Sequence, residues 1–126
     1  MRGVWVGVAT AAALCAGVAH AAGPMSVAEF LAKGDALKAK GMLAIGSPDI
    51  ALLRDTVKDA GQSYRAEIAS STAAGKKPRA CPPPVGQAKI DGKTLMGAFA
   101  SLPPAKRGIS VKAAFYRFMD RRYPCP

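Results

Sequence analysis

Histidine is almost missing from this sequence: His20 is the only one. Glutamate is nearly as scarce, with only Glu29 and Glu67, and aromatic residues make up 6% of the chain. His20 lies at the end of an apolar leader that is expected to be removed. The remaining chain then has no imidazole for a nucleophilic triad or a His-ligated metal site. Glu29 and Glu67 both fit solvated helix positions. Asp55 and Asp59, one helical turn apart, read as surface charge. No C-x-x-C-H haem attachment, EF-hand loop or phosphate-binding glycine loop is present. The expectation is therefore a non-enzymatic protein with no catalytic residue, no metal and no cofactor.

The leader has the three parts of a cleavable secretory signal. Arg2 supplies the only charge before Glu29. Val4 to Val18 forms an almost purely apolar run. Ala19-His20-Ala21 then places small residues where a signal peptidase needs them, so residues 1–21 are read as the signal, with cleavage between Ala21 and Ala22. An uncleaved transmembrane anchor is the alternative, but a run of Ala, Gly and Val would insert weakly. Lipidation at Cys15 is disfavoured because Leu14 stands where a small residue is wanted. Residues 22–126 are expected to be a single domain in the periplasm or outside the cell.

Cysteine is rare as well: Cys15, Cys81 and Cys125 are the three present. Loss of the leader leaves Cys81 and Cys125. In an oxidising compartment these most simply form one disulfide. Closing a loop of this length is worth about 4 kcal/mol on the chain-entropy model. Two free thiols or an intermolecular bridge are the alternatives.

Acidic residues are few against basic ones, 8 against 18, and the formal charge is +10. The excess is spread along the chain. It favours an acidic protein face or an anionic envelope surface, with lipid a weak partner, and it also serves solubility. Nucleic acid is not an expected partner, since no zinc-finger spacing, glycine-aromatic motif or basic recognition helix is present.

No period-two apolar run suggests a strand. The fold class read from the sequence is all-α, about four helices closed by one disulfide. Ser26-Val27-Ala28-Glu29 fits a capping box and opens a first helix from Val27 to about Leu43. Gly34 and Gly41 interrupt it, justified either by close approach of another helix or by a bend near Gly41. Ser47-Pro48-Asp49 opens a second helix ending near Ala73 and Gly75. Ile50, Leu53, Val57, Tyr64 and Ile68, with Ala60 and Gly61 between them, form its apolar stripe. That stripe reads as core, with a dimer contact as the alternative.

Gly75 to Arg79 is a basic connection, and Pro82-Pro83-Pro84 holds the next stretch extended. Asp91 caps a third helix from Gly92 to about Ser101, with Leu95, Met96, Phe99 and Leu102 on its buried side. Ser110 caps a fourth, with Val111, Ala114, Phe115 and Phe118 on one face. Pro124 stops it, and Cys125 returns the tail to Cys81. The candidate partner contacts are Lys76, Lys77, Arg79, Pro83, Lys106 and Arg107.

Several landmarks together carry a resemblance. They are Ala80-Cys81-Pro82-Pro83, a short helix near Leu95, the Pro103-Pro104 turn, Val111 to Phe118, and Tyr123-Pro124-Cys125-Pro126. Ser26 to Leu31 adds a matching opening helix. The pattern resembles the Rap/Tai immunity family, small exported helical proteins that protect bacteria from peptidoglycan amidases delivered by type VI secretion. The resemblance implies binding and inhibition of a secreted amidase through a loop placed in its cleft. It also implies a structural Cys81–Cys125 bridge and is compatible with a homodimer. The long second helix and the strongly basic balance depart from the pattern. A basic envelope protein of housekeeping role is the alternative function.

Overall fold

Ser26 begins the first helix as the capping pattern requires: its hydroxyl accepts from the Glu29 amide at 3.2 Å, satisfying a donor the helix itself leaves free. The computed structural model describes residues 23–126. The expected signal and its cleavage point between Ala21 and Ala22 lie outside the described residues.

Among the described residues, four α-helices follow in order: α1 (Val27–Lys40), α2 (Pro48–Ala73), α3 (Gly92–Ala100) and α4 (Val111–Arg122). Among the described residues there is no strand, only an isolated bridge between Ser26 and Ser110. That bridge joins the starts of α1 and α4. The Val27 amide donates to the Ile109 carbonyl, and the Val111 amide to that of Met25, both at 2.9 Å. The fold is the expected small all-α domain.

Side-chain caps open all four helices. Ser47 accepts from Asp49 N, Asp91 from Thr94 N and Ser110 from Ala113 N. Pro48 occupies the first turn of α2, where no amide hydrogen is needed. Helix α1 ends at Lys40 rather than at the expected Leu43. Gly41 turns the chain with φ +53°, and a 3-10 turn over Gly41–Ala44 follows. The two interrupting glycines therefore have separate reasons. Gly41 breaks the helix, while Gly34 makes room: a Cβ there would lie 2.5 Å from Met96 Cε of α3.

Helix α2 packs on α1 and α4, and α3 rests on the same pair. Tyr64, Phe99, Val27 and Val111 are the largest fully buried side chains. Each is worth about 1.5–3 kcal/mol of apolar burial. Phe30 meets Phe99 edge to face at 5.4 Å, and Tyr64 meets Tyr116 at 5.0 Å, arrangements that suit the charge distribution of aromatic rings. Tyr116 and Met119 are buried beside Val111, Ala114 and Phe115. The buried face of α4 is thus wider than its apolar spacing suggested.

The disulfide forms between Cys81 and Cys125, with S–S at 2.06 Å and Cα–Cα at 4.8 Å. The Cys81 amide also donates to the Tyr123 carbonyl at 2.8 Å. The bridge encloses α3 and α4 as one covalent loop.

Candidate functional site

The sequence-predicted contacts separate into two groups. Arg79 and Arg107 are engaged within the chain. Lys76, Lys77 and Lys106 are exposed, with no carboxylate partner among the described residues. Pro83 is half-buried, two residues from the disulfide.

Arg79 is a clamp between α2 and α4. Its Nε and Nη2 donate to the two Asp120 oxygens at 3.0 and 2.9 Å, and its Nη1 donates to Glu67 at 3.3 Å. The guanidinium lies 4.7 Å from the centre of the Tyr116 ring, an attractive placement for a cation. Tyr64 Oη donates to Asp120 at 2.8 Å and Tyr116 Oη to Glu67 at 3.0 Å.

Glu67, read from sequence as solvated, is half-exposed and shared by two donors. Burial by itself would raise the Asp120 carboxyl. The hydrogen bonds from Arg79 and Tyr64 outweigh it and hold the group below the usual carboxylate range. Burial, reinforced by Asp120, pushes the Tyr64 phenol well above its ordinary value. Each of these polar side-chain atoms has a partner within the network, which ties α2 to α4.

Arg107 has a different local task. It donates to the Leu102 and Ala100 carbonyls at 2.9 and 2.8 Å, satisfying the open end of α3.

Two apolar features of the described residues bear on function. The first is the turn between α1 and α2, where Met42, Leu43 and Ile45 are 82%, 87% and 72% exposed. The turn is braced: Lys33 of α1 pairs with Asp49 of α2 at 3.1 Å, and the Ser47 amide donates to the Ala44 carbonyl at 2.9 Å. The second is a cleft of about 670 Å³ between α2 and α3, lined by Leu53, Val57, Gly61, Ile90 and Met96 above Phe115. The α2 stripe is therefore divided. Ala60 and Tyr64 are fully in the core, whereas Leu53 and Val57 are half-buried at the cleft wall.

Sequence reading had no means of finding either feature. A bend near Gly41 is one of the expected readings, but not its result: the turn there carries Met42, Leu43 and Ile45 outward.

Among the described residues, no cluster of three or more His, Cys, Asp or Glu side chains is placed to hold a metal ion. No described helix is long and apolar enough to cross a membrane. Comparison with known protein families, with curated proteins and with solved structures finds no match.

Proposed function

We propose that this chain is an exported, non-enzymatic binding protein that uses the turn between α1 and α2 to engage a protein partner. The observation that carries the reading is the exposure of Met42, Leu43 and Ile45 together on a braced turn. Three large apolar side chains exposed within four residues form the kind of patch that marks an interaction site. A turn already held in shape loses little conformational freedom on binding. Within this reading, the Rap/Tai resemblance supports a peptidoglycan amidase effector as the partner, with the protein as its inhibitor.

The test is protection. Periplasmic expression of the chain should rescue sensitive cells from a co-delivered peptidoglycan amidase effector, and Leu43→Asp should abolish rescue at equal protein level. Unimpaired rescue by Leu43→Asp would reject the turn as the contact. Failure of the intact protein to bind any secreted peptidoglycan amidase of the same cells would reject the immunity role.

The alternative, a basic protein of the envelope, draws on Lys76, Lys77 and Lys106, exposed and without a carboxylate partner among the described residues. It requires binding to anionic lipid or cell-wall polymer that weakens as salt screens the charges. Binding unchanged between low and high salt counts against it.

A further inference from the structure

From the cleft between α2 and α3 we infer a binding site for a single-chain amphipathic anion, a long-chain carboxylate taken from solution. This inference is independent of the partner proposed for the α1–α2 turn.

The cleft arises from the packing. Helices α2 and α3 both rest on α1 and α4 while making few contacts with each other. Leu53, Val57 and Gly61 recur every four residues along α2, so this wall runs about 12 Å along the helix axis. Gly61 leaves space where a side chain would project: a Cβ at this position would have Phe115 Cζ 3.8 Å away. Met96 and Ile90 form part of the opposite wall. The volume, about 670 Å³, is within the range of small-ligand sites.

The chemistry of the walls selects the ligand. No buried side-chain polar atom among the described residues lacks a hydrogen-bond partner. Leu53, Val57, Gly61, Ile90 and Met96 offer no side-chain polar group, so the part of the ligand seated among them is apolar.

The rim is cationic. Lys38, Arg54 and Arg65 border the cleft. Arg54 and Arg65 have no carboxylate within ion-pair distance among the described residues, and Lys38 has only an exposed contact to Asp35 at 3.7 Å. Asp91, the carboxylate at this rim, already accepts the Thr94 amide at 2.6 Å to cap α3. An apolar slot beside unpaired guanidinium groups matches an alkyl chain ending in a carboxylate.

The experiment is titration of the purified, disulfide-intact protein with dodecanoate and, separately, with dodecanol. Native mass spectrometry gives stoichiometry and calorimetry gives affinity. One dodecanoate per chain is expected. Gly61→Leu, which fills the slot, should weaken both ligands by about tenfold or more. The double variant Arg54→Glu/Arg65→Glu changes only exposed or half-exposed side chains and should stay folded. It should weaken dodecanoate by about tenfold while leaving dodecanol nearly unchanged.

No dodecanoate binding overturns the inference, as does equal binding by wild type and a folded Gly61→Leu. Equal loss of dodecanoate and dodecanol in the double variant also overturns it, since the rim would then not be reading charge. So does capture of an acidic amphipathic peptide at this rim without any affinity for dodecanoate.

Discussion

Arg79 Nη2 donates to Asp120 Oδ2 at 2.9 Å across 41 residues of sequence, and both oxygens of that carboxylate are held by the one guanidinium. The same Asp120 receives the Tyr64 hydroxyl. A charged, two-pronged contact of this kind fixes orientation as well as distance. It locks the end of α4 to α2 and to the strap that leads into Cys81.

Asp120→Asn should therefore lower stability. The loss should be about 1–2 kcal/mol, since hydrogen bonds to charged groups are worth more than neutral ones but this pair is partly open to solvent. Chemical denaturation of the two proteins at neutral pH measures it. An unchanged midpoint would mean that the clamp contributes nothing to holding α2 and α4 together.

The same carboxylate gives an acid limb to stability. Its folded value is depressed, so its contribution is complete above the unfolded value, about 3.9. It is lost as the pH falls through the lower folded value. Tyr64 acts at the other end. Its folded value is raised, so its contribution is complete below about pH 10 and declines as the pH rises further. Melting temperatures across pH should fall below about pH 4 and above about pH 10. In Asp120→Asn the acid slope should be shallower. A slope identical to wild type would assign it to other carboxylates.

These contacts explain which parts of the fold were legible in advance. Ser26, Ser47, Asp91 and Ser110 each bond an amide two or three residues ahead, so a cap can be read from a short string. Cys81 and Cys125 were found by counting. The clamp could not be read this way. Arg79 reaches Glu67 at 12 residues and Asp120 at 41, and its geometry depends on how α2 crosses α4. Arg79 consequently looked like a loop charge open to a partner, and Glu67 like a solvated acid. The α2–α3 cleft is less legible still, because it is a gap left by four helices rather than a pattern in any one of them.

Reduction of Cys81–Cys125 should be costly. The loop spans 44 residues, worth about 4 kcal/mol on the chain-entropy model, against a total near 5–15 kcal/mol for most domains. Paired Cys81→Ser/Cys125→Ser substitution should lower the melting temperature by about 15 °C or more. Hydrogen exchange should accelerate most in α3 and α4, which the loop encloses. Uniform acceleration across α1 and α2 as well would show that the domain unfolds only as a whole.

Gly34 tests the approach of α1 to α3. A Cβ there meets only the flexible end of Met96, so Gly34→Ala should change stability little. Better helix propensity, worth about 1 kcal/mol, offsets the displacement of Met96. Gly34→Leu has no such outlet and should cost about 1–3 kcal/mol by overpacking. Thermal melts of both variants decide it. Equal behaviour of Ala and Leu would mean that α3 shifts freely away from α1.

The exposed turn predicts the opposite pattern, loss of function without loss of stability. Leu43 is 87% exposed, and Lys33 and Asp49 brace the turn from outside it. Leu43→Asp removes no core contact and should change stability by no more than about 0.5 kcal/mol. If the turn supplies an anchor to a protein partner, the same substitution should weaken binding by about 2 kcal/mol or more, the scale of a central interface residue. Lys33→Ala should act more mildly and mainly through the off-rate, because it loosens the turn without removing the apolar contact. Measuring both variants against the captured partner separates the two contributions. A large destabilisation in Leu43→Asp would place Leu43 in the core instead of at an interface.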